Sequence, residues 1–206
     1  LYKKLANQSL DSIELALNLA RAHYAERQHK EAEAALEAGL EKWPNSSALH
    51  TALARARTLR GDGDNATARL EEQIASRPQD LGLRLACIDA LHRAGRYDKA
   101  LDVTNNALAL APDHQALLTA HGVVLDELGQ PAQGLVSLRR VAELAGHTPA
   151  SLRNMLSTLI RAGQAEEALR ITRALLQKQP DEQYLVATEA LALRVLRDPA
   201  YRTLYD

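Results

Sequence analysis

The chain has 206 residues, of which 46% are hydrophobic; that length fits one or two domains and that apolar content excludes wholesale disorder. Aromatics are 3%, with no Phe, so a core must rest on Ala and Leu, strong helix formers, rather than on aromatic and β-branched strand formers. Twenty-five basic residues against 26 acidic ones leave a net charge of −1, which excludes the basic excess of a sequence-independent nucleic-acid binder. One cysteine excludes an internal disulfide or a CxxC metal site, and no apolar run reaches the ~18 residues of a membrane span.

From the N-terminus, LYKKLANQSLDS (residues 1–12) reads as the end of a preceding helix. No signal-peptide pattern is present, and a start on Leu1 rather than Met reads as a fragment, with a removed leader left open. Residues 13–46 then read as a helix, a turn at RQHKEA and a second helix closed by Pro44. Residues 47–80 repeat that shape with GDGDNA and Pro78, and 81–114 with GRYDKA and Pro112. Residues 115–148 carry GQPAQG and end with Gly146 in the proline slot; 149–182 carry GQAEEA and Pro180. Thr148-Pro149 reads as an N-cap followed by Pro in the first turn. A sixth first helix, 183–197, caps the series before Asp198-Pro199 stops it, and 198–206 reads as a tail leading to a missing domain.

The residue types at the repeating slots have physical reasons. A small residue stands twelve before each closing slot (Ala32, Ala66, Ala100, Gly134, Ala168), and a mostly small one twelve earlier (Ala20, Ala54, Ile88, Gly122, Leu156). Facing each other, such positions let two helix axes approach closely. Gly at 61, 95, 129 and 163 suits the left-handed backbone that ends a first helix, and proline cannot continue the second. Helices of about 13 residues are marginal alone, so each pair depends on its neighbours.

A 34-residue helix–turn–helix unit closed by Pro resembles the tetratricopeptide repeat (TPR), and LARAHYAERQHKEAEAALEAGLEKWP (19–44) carries the resemblance well. It implies an all-α fold: a TPR-type α-solenoid of antiparallel helix pairs wound as a right-handed superhelix, with first helices lining a concave face that holds a protein or peptide partner. Helical spacing places Asn18, Arg21 and Tyr24 on that face, then Arg55, then Asp89, His92 and Arg93. Further along come Asp126, in an acidic patch with Glu127, then Arg153, Asn154, Ser157 and Arg161, and Arg194 on the last helix. Arginines at both ends suit carboxylates or phosphates, so an extended, mixed-charge ligand is expected.

The family's subtypes also set expectations. The Lys/Asn carboxylate clamp of chaperone-binding arrays is not present, since Leu17 and Arg21 stand at its first positions. The asparagine ladder of glycosyltransferase-type arrays is broken: Asn18 and Asn154 flank Ala52, Ala86 and Ala120. The usual aromatic of the second helix is replaced by Leu36, Leu70, Thr104, Leu138 and Thr172, which predicts thinner contacts there. Gly122 and Gly134 predict tight packing, with a soft hinge as the sharper alternative, because Gly costs ~1 kcal/mol inside a helix.

Chemistry is sparse. Seven histidines form no HExxH and no i, i+4 pair; His121 reads as a core histidine and His114 as a solvated turn residue. GDGDN (61–65) lacks the Gly and Glu of a calcium loop, and Cys87 reads as a small buried hydrophobe. No catalytic residue, metal or cofactor is expected. The leading expectation is an interaction scaffold. The alternative is an accessory domain of a larger enzyme, since ALALRVLRDPAYRTLYD resembles the junction between bacterial TPR arrays and an iron- and 2-oxoglutarate-dependent oxygenase domain. Neither nucleic-acid binding nor membrane insertion is expected. The cytoplasm is the expected compartment with the periplasm left open, as is a homo-oligomer formed through a terminal repeat.

Overall fold

The structure is a computed structural model that describes residues 12–198 and 200. Among them lie eleven α-helices and no strand: α1 (Ile13–Ala25), α2 (His29–Lys42), α3 (Ser47–Leu59), α4 (Gly63–Ser76), α5 (Leu81–Arg93), α6 (Tyr97–Leu110), α7 (Gln115–Glu127), α8 (Pro131–Leu144), α9 (Pro149–Arg161), α10 (Ala165–Leu176) and α11 (Gln183–Val195). The odd-numbered helices are 13 residues long and begin at a constant spacing of 34, as do the even-numbered ones. The predicted preceding helix at 1–12 falls, save for Ser12, outside the described residues, as does the tail but for Asp198 and Ala200.

Local chemistry repeats with the helices. Ser12, Ser46, Asp80, His114 and Thr148 each cap an odd-numbered helix by accepting the backbone N–H three residues on, a contact that typically stabilises a helix by ~1 kcal/mol. The solvated role expected for His114 is therefore corrected: its Nδ1 accepts from Leu117 N–H at 3.4 Å. Arg27, Gly61, Gly95, Gly129, Gly163 and Arg197 all take positive φ, between 57° and 88°, so each odd-numbered helix ends in the same left-handed turn. The turn after α11 is thus no different from the hairpin turns, and the Asp198 carboxylate accepts the N–H of Ala200 at 2.9 Å.

The chain divides into two compact units, one up to Leu110 and one from Ala111. In the first, Ala16, Ala20, Ala32, Leu36, Leu49 and Leu53 form one core cluster with Ala56. In the second, Leu135, Leu138, Leu152, Leu156, Leu159 and Leu185 anchor another. Burying a leucine fully stabilises by about 1.5–3 kcal/mol. The ten small or mostly small positions of the repeat frame are all buried. Those occupying the missing aromatic slot are buried too: Leu36, Leu70, Thr104, Leu138 and Thr172 are at most 2% exposed.

Gly122 and Gly134 mark the tightest crossing. A Cβ on Gly134 would stand 2.6 Å from the Gly122 carbonyl oxygen, and one on Gly122 would stand 2.9 Å from the Gly134 carbonyl oxygen. The backbones of α7 and α8 touch with no room for any side chain, so the glycines serve packing. His121 sits beside this crossing, half-buried, its Nδ1 2.8 Å from the Ser137 hydroxyl. Burial lowers its pKa.

Candidate binding surface

In the first unit, α1, α3 and the start of α5 enclose a cleft of about 640 Å³. Its walls are mainly apolar, built from Leu17, Ala20, Ala48, Ala52, Ala56 and Leu59, while Arg21, Tyr24 and Arg55 supply its polar chemistry. These three were expected on this face, and the structure brings them together. Among the described residues Arg21 donates only to the Asn18 side-chain oxygen, at 3.4 Å. Arg55 is exposed and has no partner among the described residues. The Tyr24 hydroxyl is buried without a hydrogen-bond partner among the described residues; burial first, and the nearby Glu33 charge second, raise its pKa.

Arg55 also borders a smaller recess with Leu85 and Asp89. Asp89, His92 and Arg93 line a further recess beside Thr58 and Leu59. Here the charges are largely spent on each other: Arg93 donates to Asp89 at 3.0 Å. That bond and the Asp89 charge raise the Arg93 pKa. The His92 ring meets Tyr97 edge-on at 5.4 Å.

The second unit treats its expected residues differently. Asp126 is 7% exposed, and its carboxylate accepts the Thr158 hydroxyl at 2.7 Å and the Arg161 guanidinium. This corrects the expected acidic patch: Glu127 is exposed, but Asp126 is consumed in tying α7 to α9, and Arg161 with it. Helical spacing predicts the face of a helix and not what a neighbouring helix will set against it. Arg153 lies over the Tyr184 ring, 4.5 Å from its centroid. Ser157 and Arg194 are exposed and Asn154 is half-buried.

Two features escaped the sequence reading. The apolar lining of the first cleft was missed, because Leu59, 61% exposed, is told from a core leucine only by the structure. A second cleft of about 630 Å³ lies between α8, α9 and α10, bordered by Arg139, Arg170 and Lys178, which stand on or just after second helices and so off the face that helical spacing marks on the first ones. Cys87 is buried and its thiol pKa is pushed up to about 12 by burial. Among the described residues no group of three His, Cys, Asp or Glu is placed to hold a metal ion, and no helix is long and apolar enough to cross a membrane.

Two family models, each described as tetratricopeptide repeat, match residues 13–56 and 58–122, together more than half of the chain. The chain belongs to the tetratricopeptide repeat family. The TPR fold extends further than the matched segments. A TPR protein from Parabacteroides merdae superposes with a TM-score of 0.74, 18% identity, and coverage of 93% of this chain and 76% of that one. YrrB, described as a TPR protein with an unusual peptide-binding site, superposes with a TM-score of 0.59 at 16% identity, covering 91% of this chain and 96% of its own. A curated relative, cellulose synthase operon protein C of Xanthomonas axonopodis pv. citri, is 29% identical over 144 residues, 63% of this chain. The chain spans only 10% of that relative's length. As a TPR protein the chain is a protein-interaction scaffold, and the repeat fold is in general non-catalytic.

Proposed function

We propose that the odd-numbered-helix face of the first unit binds a peptide segment of a partner protein. The cleft between α1 and α3 carries the reading: an apolar concavity large enough for several side chains, bordered by two arginines whose charge no acid among the described residues neutralises. Concave, mostly apolar sites with a few placed polar groups are where ligands bind. YrrB, a protein of the same fold, is described with a peptide-binding site, which supports the class of ligand.

Panning a phage-displayed library of random 16-residue peptides against the whole chain tests this. The recovered peptides are then titrated by fluorescence anisotropy against wild type, Ala48→Arg and Leu59→Arg. Both positions are exposed, so the variants should melt as wild type does while binding at least tenfold more weakly. Failure to recover any binder, or binders indifferent to both variants, would dismiss the cleft as the site.

A second reading makes the array an accessory module of a larger protein. It is favoured by the curated relative, in which TPR-like sequence matching this chain is a small part of the whole. The oxygenase version rests on the closing residues alone, of which 201–206 lie outside the described part. Coding sequence beyond residue 206 decides that version: a His-x-Asp motif on a β-rich domain is expected, and its absence sinks it.

A further inference from the structure

We infer that the occupant of the first-unit cleft is an acidic amphipathic α-helix, rather than an extended strand; this rests on the reading of that cleft as a peptide site. The argument is one of unsatisfied groups. An extended peptide leaves most of its N–H and C=O groups open, and burying them without partners costs ~1–3 kcal/mol each. A receptor that buries such a peptide supplies both donors and acceptors along its groove, most effectively from side-chain amides, which carry both. None lines this one: the cleft wall contains no Asp, Glu, Asn or Gln.

Two of the three hydroxyls that line it have their donor committed. Ser47 donates to Asp80 at 2.5 Å, and Thr51 donates to the Ser47 carbonyl at 2.7 Å. The positions that would carry an asparagine ladder are Ala52 and Ala86, and Asn18 has its side-chain oxygen turned to Arg21. A helix makes no such demand, because its backbone bonds are internal. It presents apolar side chains at i, i+3, i+4 and i+7, the pattern that helix-in-groove recognition reads.

Charge sets the second requirement. Arg21 and Arg55 stand on α1 and α3 and both border the cleft, with no carboxylate among the described residues that line it. Arginine reads carboxylates bidentately, so glutamates or aspartates flanking the apolar stripe complete the ligand. A basic amphipathic helix would meet two guanidiniums that no acid among the described residues neutralises, and be repelled.

The peptides recovered by panning test the proposal directly. Binders should carry acidic residues beside helical-spaced apolar ones. A proline placed at the centre of a binder should weaken it at least tenfold, since proline breaks a helix. Arg21→Glu/Arg55→Glu should weaken binding at least tenfold, and exchanging the peptide's acids for Lys should recover it against that double variant. Binders that tolerate the central proline yet still respond to Ala48→Arg would overturn the helical occupant and leave the cleft intact as a peptide site. Binders lacking acids, or indifferent to the arginine reversal, would overturn the acidic requirement.

Discussion

Substituting Gly134 with Ala tests the α7–α8 crossing most sharply, because two effects of known sign oppose each other there. Ala is favoured over Gly inside a helix by ~1 kcal/mol, so on intrinsic propensity alone the variant is stabilised. The new methyl, however, would stand 2.6 Å from the Gly122 carbonyl oxygen and 3.4 Å from its carbonyl carbon. These are backbone atoms and cannot rotate aside, so the helices must part by a sizeable fraction of an ångström. A gap of 0.5–1 Å forfeits about a quarter to a half of each affected dispersion contact, and overpacking of this kind costs about 1–3 kcal/mol, occasionally more. The close approach wins, and the expected net loss is about 1–3 kcal/mol. Gly39→Ala is the control: its new methyl would meet side-chain atoms, Ala16 Cβ at 3.0 Å and Leu49 Cδ1 at 3.1 Å. Leu49 can shift but Ala16 Cβ is fixed to its backbone, so α1 and α2 must give by a few tenths of an ångström; that variant should lose clearly less stability than Gly134→Ala. Thermal melting by circular dichroism reads both, at roughly 2–4 °C per kcal/mol for a chain of this size. Amide exchange in α7 and α8 gives a local measure that does not assume two-state unfolding of a repeat array. A Gly134→Ala protein melting at or above wild type would refute the close-packing argument and reopen the hinge.

Ala100→Glu places a carboxylate at a position with no solvent exposure and should destabilise by several kcal/mol, since it buries an unpaired charge; an unaltered melting curve would contradict the assigned register. Arg27→Gly and Arg197→Gly relieve non-glycine residues at φ 59° and 57° and should each stabilise by ~1 kcal/mol in denaturant titrations; a loss of stability would count against the shared turn geometry. His121 has its pKa lowered by burial, so the unfolded chain binds the proton more readily. Its contribution is intact above the ordinary value near 6.5 and is lost as pH falls below it. His121→Asn, which can still bond Ser137, should flatten the stability–pH curve between about 7 and 5, and an unchanged slope there would show that His121 is not responsible.

The period was the most legible property of the chain, because it is written in residues that act locally. Proline cannot continue a helix it follows and glycine takes a left-handed turn at no steric cost, so Gly61, Gly95, Gly129 and Gly163 could be placed from their fixed spacing before any contact was known. The capping series at Ser12, Ser46, Asp80 and His114 was equally local yet went unread, since only Thr148 was recognised. Arg27 and Arg197 adopt the glycine turn with the wrong residue type for it, and there the repeating geometry of the hairpin overrode the local preference.

By itself, then, the order of residues settled the helices, their spacing and which small side chains would be buried, since each depends on neighbours within a few turns of the chain. Tertiary structure alone decided the fate of the charges. Whether Asp126 would greet solvent or lock onto Thr158 and Arg161, more than thirty residues away, depends on how one helix is rotated against another. For Arg21 and Arg55 the repeat frame gave the shared face, and the structure added the apolar cleft that they border. A shift of a fraction of a helical turn moves a charged side chain between water and a partner, and no spacing along the sequence resolves that angle.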